Sequence, residues 1–259
     1  MNFDHLILKL TNLLLYIFLL GSGIYDLTAA TSHHAFEKHI SFFTPAAYAN
    51  YAWLLTYILL GCFIVIQFFD PYSECAVHGV GWFFPLAIVL NAIWHAFWSQ
   101  GYMVLSFITI LLVCAVISTI YRQLRNEHPV NGWVDALFVH APFSLWHGWV
   151  TFYAVLNAFA TFGRRGDGEP KTIDVILVVL GLIFLAFTAF GYVEYKRGDV
   201  AGALVISWGL FAIFAKQHHP VIHWVAFACA LFAFLYPSKP YLLDLMLRHR
   251  SEERAPLIA

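Results

Sequence analysis

Apolar residues along the chain are grouped into eight segments, each about long enough to cross the hydrocarbon core of a bilayer. The segments lie at about residues 6–28, 48–69, 80–99, 102–121, 135–162, 173–194, 201–216 and 221–237. A membrane-spanning helix needs about 20 predominantly apolar residues and satisfies its own backbone hydrogen bonds. The pattern therefore predicts an all-α fold, a polytopic helical membrane protein with about eight transmembrane helices.

Polar residues interrupt the apolar segments and set the expected boundaries. Clear breaks occur at residues 70–72, 122–131 and 163–170, and less pronounced ones at residues 99–101 and 218–220. With eight spans the two termini share one face of the membrane. Of the 14 Lys and Arg residues, nine fall on that face and five on the opposite one. The positive-inside rule thus favours cytoplasmic termini, while the sequence does not indicate which membrane holds the protein.

Composition excludes several functional classes. Charged residues make up 11% of the chain and apolar residues 61%, whereas roughly 25% of an ordinary soluble domain is charged. The net charge of −1 provides no field that would attract nucleic acid. Three of the four cysteines lie inside apolar segments, so no disulfide framework is expected. Aromatic residues reach 18%, more than lipid-facing helices require.

Aromatic and polar side chains recur at helical spacing within three of the predicted helices. The second helix carries Trp53, Tyr57 and Gly61, the third carries Asn91 and Trp94, and the fifth carries Trp149, Phe152, Tyr153, Leu156 and Asn157. Residues three or four apart share one helix face, so each stripe combines flat apolar rings with polar groups. Such a mixture suits a large planar ligand with a polar edge. Packing between helices is the alternative interpretation.

The order of these motifs resembles the translocator protein family, also called tryptophan-rich sensory proteins or TspO/MBR. The family's aromatic, proline-containing loop corresponds to residues 43–48, and the motifs W-x3-Y-x3-G, L-N-x-x-W and W-V-x-F-x-x-x-L-N follow on the second, third and fifth helices. The chain departs from the family pattern in that Ala46 replaces the usual second Pro of the loop and Tyr48 replaces its Trp. Pro142 lies seven residues before Trp149 rather than four. The sequence thus resembles a divergent member.

The resemblance covers about residues 1–163, which matches the five helices of the family. It implies a TspO-like five-helix transmembrane bundle over residues 1–163. Residues 164–238 would add three transmembrane helices, and residues 239–259 would form a polar C-terminal tail. The N-terminal segment could pass for a signal peptide that is cleaved after Ala30. Because the bundle needs its first helix, the resemblance argues against such cleavage.

The resemblance implies a membrane receptor or carrier that binds planar hydrophobic ligands such as porphyrin, haem or sterol, in a pocket closed by the loop after the first helix. It assigns ligand binding to Pro45, Tyr48, Trp53, Tyr57, Asn91, Trp94, Trp149, Phe152 and Leu156, and structural roles to Gly61, Pro142 and Asn157. No settled catalytic activity defines the family, so a non-enzyme is expected. No cofactor is indicated, and haem or porphyrin is a possible ligand. The expected partners are the lipid bilayer and the ligand, and a homodimer is possible.

Two alternatives remain open at this point. His219 and His223 are four residues apart near the last predicted helix, a spacing that suits a metal ion. Together with Ser22 and Asp26 on the first helix they suggest an intramembrane, ceramidase-like zinc hydrolase, in which a metal-bound hydroxide would attack the substrate. Pro220 between the two histidines argues against this site. The other alternative is a membrane scaffold that binds no small molecule.

Overall fold

The computed structural model describes residues 3–28, 39–70, 72–195, 198–239 and 241, with the backbone alone at residues 3, 4 and 26–28. These ranges contain helices α1 (Phe3–Thr28), α2 (Tyr51–Ile66), α3 (Phe83–Gln100), α4 (Met103–Glu127), α5 (Ala141–Phe162), α6 (Thr172–Glu194), α7 (Val200–Lys216) and α8 (Pro220–Leu235). Each predicted apolar segment overlaps one of these helices. The predicted all-α, polytopic helical fold is confirmed.

Several of these helices are long and apolar enough to span a membrane. In the described part of the chain, this holds for His5–Tyr25, Ala47–Ile66, Met103–Glu127, Thr172–Glu194 and Pro220–Ser238. A further helical segment, Tyr72–Val80, meets α3 at a bend of 58°. Helix α7 is shorter but also apolar. These properties support the predicted multi-pass membrane protein.

The less pronounced breaks of the sequence separate real helices. Gly101 ends α3 with a φ of +82°, a left-handed conformation that glycine adopts at little cost. Pro220 lies in the first turn of α8, where a backbone N–H has no intrahelical partner to lose. The predicted helix over residues 135–162 is continuous but irregular, because a π-helical turn, Ala136–His140, ends two residues before Pro142. Proline cannot donate the regular backbone hydrogen bond at that point.

Helix α5 lies at the centre of the bundle, in contact with α2, α4 and α7. Its side chains Trp146, Trp149 and Phe152 have no exposed surface. Large apolar side chains on other helices face outward, as Leu112 on α4 and Phe187 on α6 do. An apolar outer surface is what a lipid environment stabilises.

Helices α5 and α7 approach each other closely at a pair of glycines. A Cβ atom on Gly148 would lie 2.6 Å from Val205 Cγ1 and 2.8 Å from the Gly202 carbonyl oxygen. Neither distance leaves room for a side chain. Small residues allow such close packing in membranes, where van der Waals contact and hydrogen bonds hold helices together.

Buried polar groups connect α4, α5, α6 and α7. Asp199 accepts from the Arg125 guanidinium at 2.8 Å and from Ser144 Oγ at 2.5 Å, and its other carboxylate oxygen caps the N-terminus of α7. Nearby, the two ring nitrogens of His147 bond to Ser118 Oγ, at 2.7 Å, and to the Tyr192 hydroxyl. These bonds join α6 and α7 to the central helix and to α4.

Candidate ligand-binding site

The aromatic residues predicted on the second, third and fifth helices lie together in the structure. Trp53 and Tyr57 on α2 stack with their ring centroids 5.5 Å apart, and Trp149 and Phe152 on α5 stack at 4.9 Å with nearly parallel planes. We refer to Trp53, Tyr57, Trp94, Trp149, Phe152 and Tyr153 as the aromatic cluster.

Tyr153 connects the aromatic cluster, although the sequence did not assign it to ligand binding. Its ring makes T-shaped contacts with Trp94 and Trp149, each at a centroid distance of 5.2 Å. A tilted contact joins it to Trp53 at 6.3 Å. Its hydroxyl donates to Asn50 Oδ1 at 2.6 Å. The signal that could have identified it is its spacing of four residues from Trp149 on the stripe of α5.

Helix α1 positions α2 for this cluster. The Tyr57 ring packs on Gly23, where a Cβ atom would lie 2.3 Å from Tyr57 Cε2. Likewise a Cβ atom on Gly61 would lie 2.4 Å from the Tyr16 hydroxyl oxygen. That hydroxyl donates to the Tyr57 carbonyl oxygen at 2.9 Å. Gly61 thus permits the close approach that holds the cluster's two α2 rings in place.

Three polar atoms in or beside the cluster are buried without a hydrogen-bond partner among the described residues. They are Asn91 Oδ1, Trp94 Nε1 and Trp149 Nε1. The exposed fractions of these residues are 7%, 4% and 0%. A buried polar atom without a partner costs about 1–3 kcal/mol, and such atoms in a native protein indicate strain, water or a binding role. The site therefore offers two donors and one acceptor beside flat apolar rings.

The loop before α2 brings different residues to the cluster than the resemblance implies. Tyr48, expected as an aromatic lid, packs edge-on against Trp208 of α7 at 5.1 Å. Phe43 instead approaches Phe152 at 6.4 Å and stacks on Phe159 at 4.6 Å. Pro45 is buried in the same loop. These contacts could not be predicted from local spacing, since α7 and α5 lie far from the loop along the chain.

The remaining predicted residues on α5 have separate surroundings. Phe152 also faces α7, since a Cβ atom on Gly209 would lie 2.5 Å from its ring. Leu156 is buried one turn farther along. Asn157 Nδ2 donates to Ser106 Oγ of α4 at 2.6 Å, so this amide bonds α5 to α4. Pro142 is buried in the first turn of α5.

The histidines of the zinc hypothesis have other contacts. His223 Nδ1 lies 2.9 Å from the Gln217 carbonyl oxygen, and its ring packs on Phe214 at 4.2 Å. Within the residues that the structure describes, no group of three or more His, Cys, Asp or Glu side chains could hold a metal ion. His219 precedes α8, and the side chain of Asp26 lies outside the described residues. The geometry therefore adds nothing in favour of a metal site.

The aromatic cluster is closed in this conformation. Trp149 and Phe152 have no exposed surface, and their rings stack directly on each other. Trp53 at the edge of the cluster is half-buried. A planar ligand would reach the unpaired indole N–H groups only after neighbouring rings move apart.

Comparison with known families gives a match over most of the chain. The sequence model of a family described as TSPO-like protein matches residues 6–237. No curated protein and no solved structure matches the chain. The match confirms the predicted TspO-like family and extends past residue 163 through α6, α7 and α8.

Proposed function

Because the chain belongs to the TSPO-like protein family and is an integral, multi-pass membrane protein, we propose that it binds planar hydrophobic ligands. The ligand class is porphyrin, haem or sterol. The site is the aromatic cluster with Pro45, Tyr48, Asn91 and Leu156 around it. In this proposal residues 1–163 form a five-helix bundle that carries the site. Residues 164–238 add three transmembrane helices to that bundle, and residues 239–259 form a polar C-terminal tail.

The observation that supports the proposal is the set of unpaired polar atoms on Asn91, Trp94 and Trp149. Two indole N–H groups and an amide oxygen buried without partners cost free energy, and a bound ligand would supply those partners. A ligand with flat faces and oxygen or nitrogen atoms at its edge would stack on the rings and bond to these groups.

Ligand binding requires the cluster to open. Opening separates stacked ring pairs, and the ligand's own faces replace those contacts. The hydrogen bonds to the unpaired atoms are then gained only in the bound state, which favours binding of ligands with a polar edge over plain hydrocarbons.

The test is a titration of purified protein in phosphatidylcholine nanodiscs with protoporphyrin IX, haem and cholesterol. We expect saturable binding of at least one of them. Trp149→Phe keeps an aromatic ring but removes the N–H, so it should weaken binding roughly two- to tenfold, the equivalent of one hydrogen bond.

Trp146→Phe is the matched control for this substitution. Trp146 lies on the same helix, has no exposed surface and has an indole N–H without a partner among the described residues. Its ring, however, contacts Phe84 at 6.1 Å and lies outside the cluster. Its replacement should leave affinity unchanged. If none of the three ligands binds saturably, or if Trp94→Phe and Trp149→Phe both leave affinity unchanged, the cluster is packing and the scaffold hypothesis stands.

A further inference from the structure

We propose that α7 clasps the loop over the aromatic cluster and controls how fast the site opens. The loop is residues 39–50. The control of site opening rests on the proposed function, whereas the attachment of the loop to α7 can be tested without any ligand.

The loop covers the cluster through two direct contacts. Phe43, which has no exposed surface, approaches the Phe152 ring at 6.4 Å. At the other end of the loop, Asn50 accepts the hydrogen bond from Tyr153 at 2.6 Å. Separation of the rings around Tyr153 therefore requires the loop to shift.

Hydrogen bonds connect this loop to α7 and to Gln217, the residue that follows α7. The backbone N–H of Ala46 donates to the Ala212 carbonyl oxygen at 2.8 Å. Gln217 Nε2 donates to the Thr44 carbonyl oxygen at 2.8 Å, and Trp208 Nε1 donates to the Ala49 carbonyl oxygen at 3.1 Å. We name these three bonds the clasp. All three involve backbone atoms of the loop, so they fix the path of the chain.

Helix α7, which forms one side of the clasp, is attached to the rest of the bundle near its N-terminus. The helix is joined to α4 and α5 by the buried Arg125–Asp199 ion pair, at 2.8 Å, and by the close contact of Gly148 with Gly202. Because these contacts hold α7 in the bundle, rupture of the clasp is expected to move the loop and not the helix. The α5–α6 connection supports the loop from the other side, where Gly166 N–H donates to the Ile40 carbonyl oxygen at 3.0 Å.

Ala46 is the residue that permits the first bond of the clasp. The family loop usually has a proline at this position, and proline has no backbone N–H to donate. Ala46 has a φ of −65°, which is the value that a proline ring imposes. Ala46→Pro therefore removes one clasp bond without a change of φ at that residue.

The first experiment measures amide hydrogen exchange of residues 40–50 in the full chain, in nanodiscs without ligand. Ala46→Pro should speed exchange of the remaining loop amides roughly two- to tenfold, because one net hydrogen bond is lost. Ala46→Ser keeps the N–H and should match the parent protein.

A second variant removes the other two bonds. Trp208→Phe with Gln217→Ala keeps a ring beside Tyr48 but deletes both side-chain donors. Its control is Trp224→Phe, since Trp224 is an exposed tryptophan on α8 whose ring contacts Phe214, His223 and Phe227. The double variant should speed loop exchange by more than Ala46→Pro does. Unchanged exchange in both clasp variants would overturn the clasp.

The second experiment measures the association rate of protoporphyrin IX by stopped flow with the same proteins. Looser clasps should raise the association and dissociation rates together, with little change in Kd. Faster loop exchange with an unchanged association rate would overturn the proposal that the clasp controls how fast the site opens. If no variant binds the porphyrin while loop exchange increases as expected, the clasp stands and the proposed function loses its support from this ligand.

Discussion

The Tyr153 hydroxyl donates a hydrogen bond to Asn50 Oδ1 at 2.6 Å, which joins the middle of the central helix to the turn that begins α2. This bond places the most connected ring of the aromatic cluster under the loop.

Tyr153→Phe should lower the free energy of unfolding by about 1 kcal/mol, because one side-chain hydrogen bond is lost while the ring contacts remain. The measurement is thermal unfolding in detergent. Tyr102→Phe is the control, since Tyr102 is exposed and should leave the midpoint unchanged. Equal midpoints for Tyr153→Phe and the parent would contradict a stabilising role for this bond.

Asn91→Leu should raise the stability of the ligand-free protein by about 1 kcal/mol, because it removes a buried oxygen that lacks a partner. The same substitution should weaken binding of a ligand that bonds to this amide. Asn157→Leu is the contrasting variant, since the Asn157 amide donates to Ser106 and its loss should destabilise the protein. Thermal unfolding of both variants measures the opposite changes in stability, and ligand titration measures the loss of affinity. An Asn91→Leu protein less stable than the parent would contradict the view that the Asn91 oxygen is buried without a partner.

Asp199→Asn should destabilise the fold by about 3–5 kcal/mol, because it leaves the Arg125 guanidinium buried without a counter-charge. Asparagine is itself a good helix cap, so the capping of α7 changes little and the loss reports the charge. The comparison variant is Glu194→Gln, which breaks an exposed ion pair with Lys239 and should have little effect. Chemical denaturation in detergent compares the Asp199→Asn and Glu194→Gln proteins. Similar midpoints would show that the buried ion pair contributes no more to stability than the exposed one.

Gly209→Ala should lower the free energy of unfolding by about 1–3 kcal/mol, because the added methyl group would lie 2.5 Å from the Phe152 ring. Gly191→Ala on α6 is the matched control, since no atom lies within 4 Å of the added Cβ position. Addition of Phe152→Leu should restore part of the loss, and the double-mutant cycle gives the coupling. Additive effects would mean that the two residues are not energetically coupled, which would contradict the predicted clash.

The helices could be predicted from the sequence because apolar runs of bilayer length have few other structures available to them. The meeting of Trp53, Trp94 and Trp149 was also predictable, since each lies on a stripe with polar neighbours at helical spacing. The family resemblance supplied which helices are neighbours, which spacing alone does not determine.

Other features had no local signal. Asp199 and Arg125 are 74 positions apart, and each alone looks like a charge at a membrane surface. The contact of Tyr48 with Trp208 depends on how α7 packs against α5. Long-range contacts of this kind follow from the three-dimensional arrangement of helices, and helical periodicity contains no information about them.

The clasp also determines when the site is completed. The partners of the Trp208–Ala49 hydrogen bond are 159 residues apart in sequence, and those of the Gln217–Thr44 bond are 173 apart. Synthesis proceeds from the N-terminus, so the loop is made long before the helix that holds it. All the helices that carry the aromatic cluster are therefore made while the loop is still free, and closure of the site is among the last events of assembly.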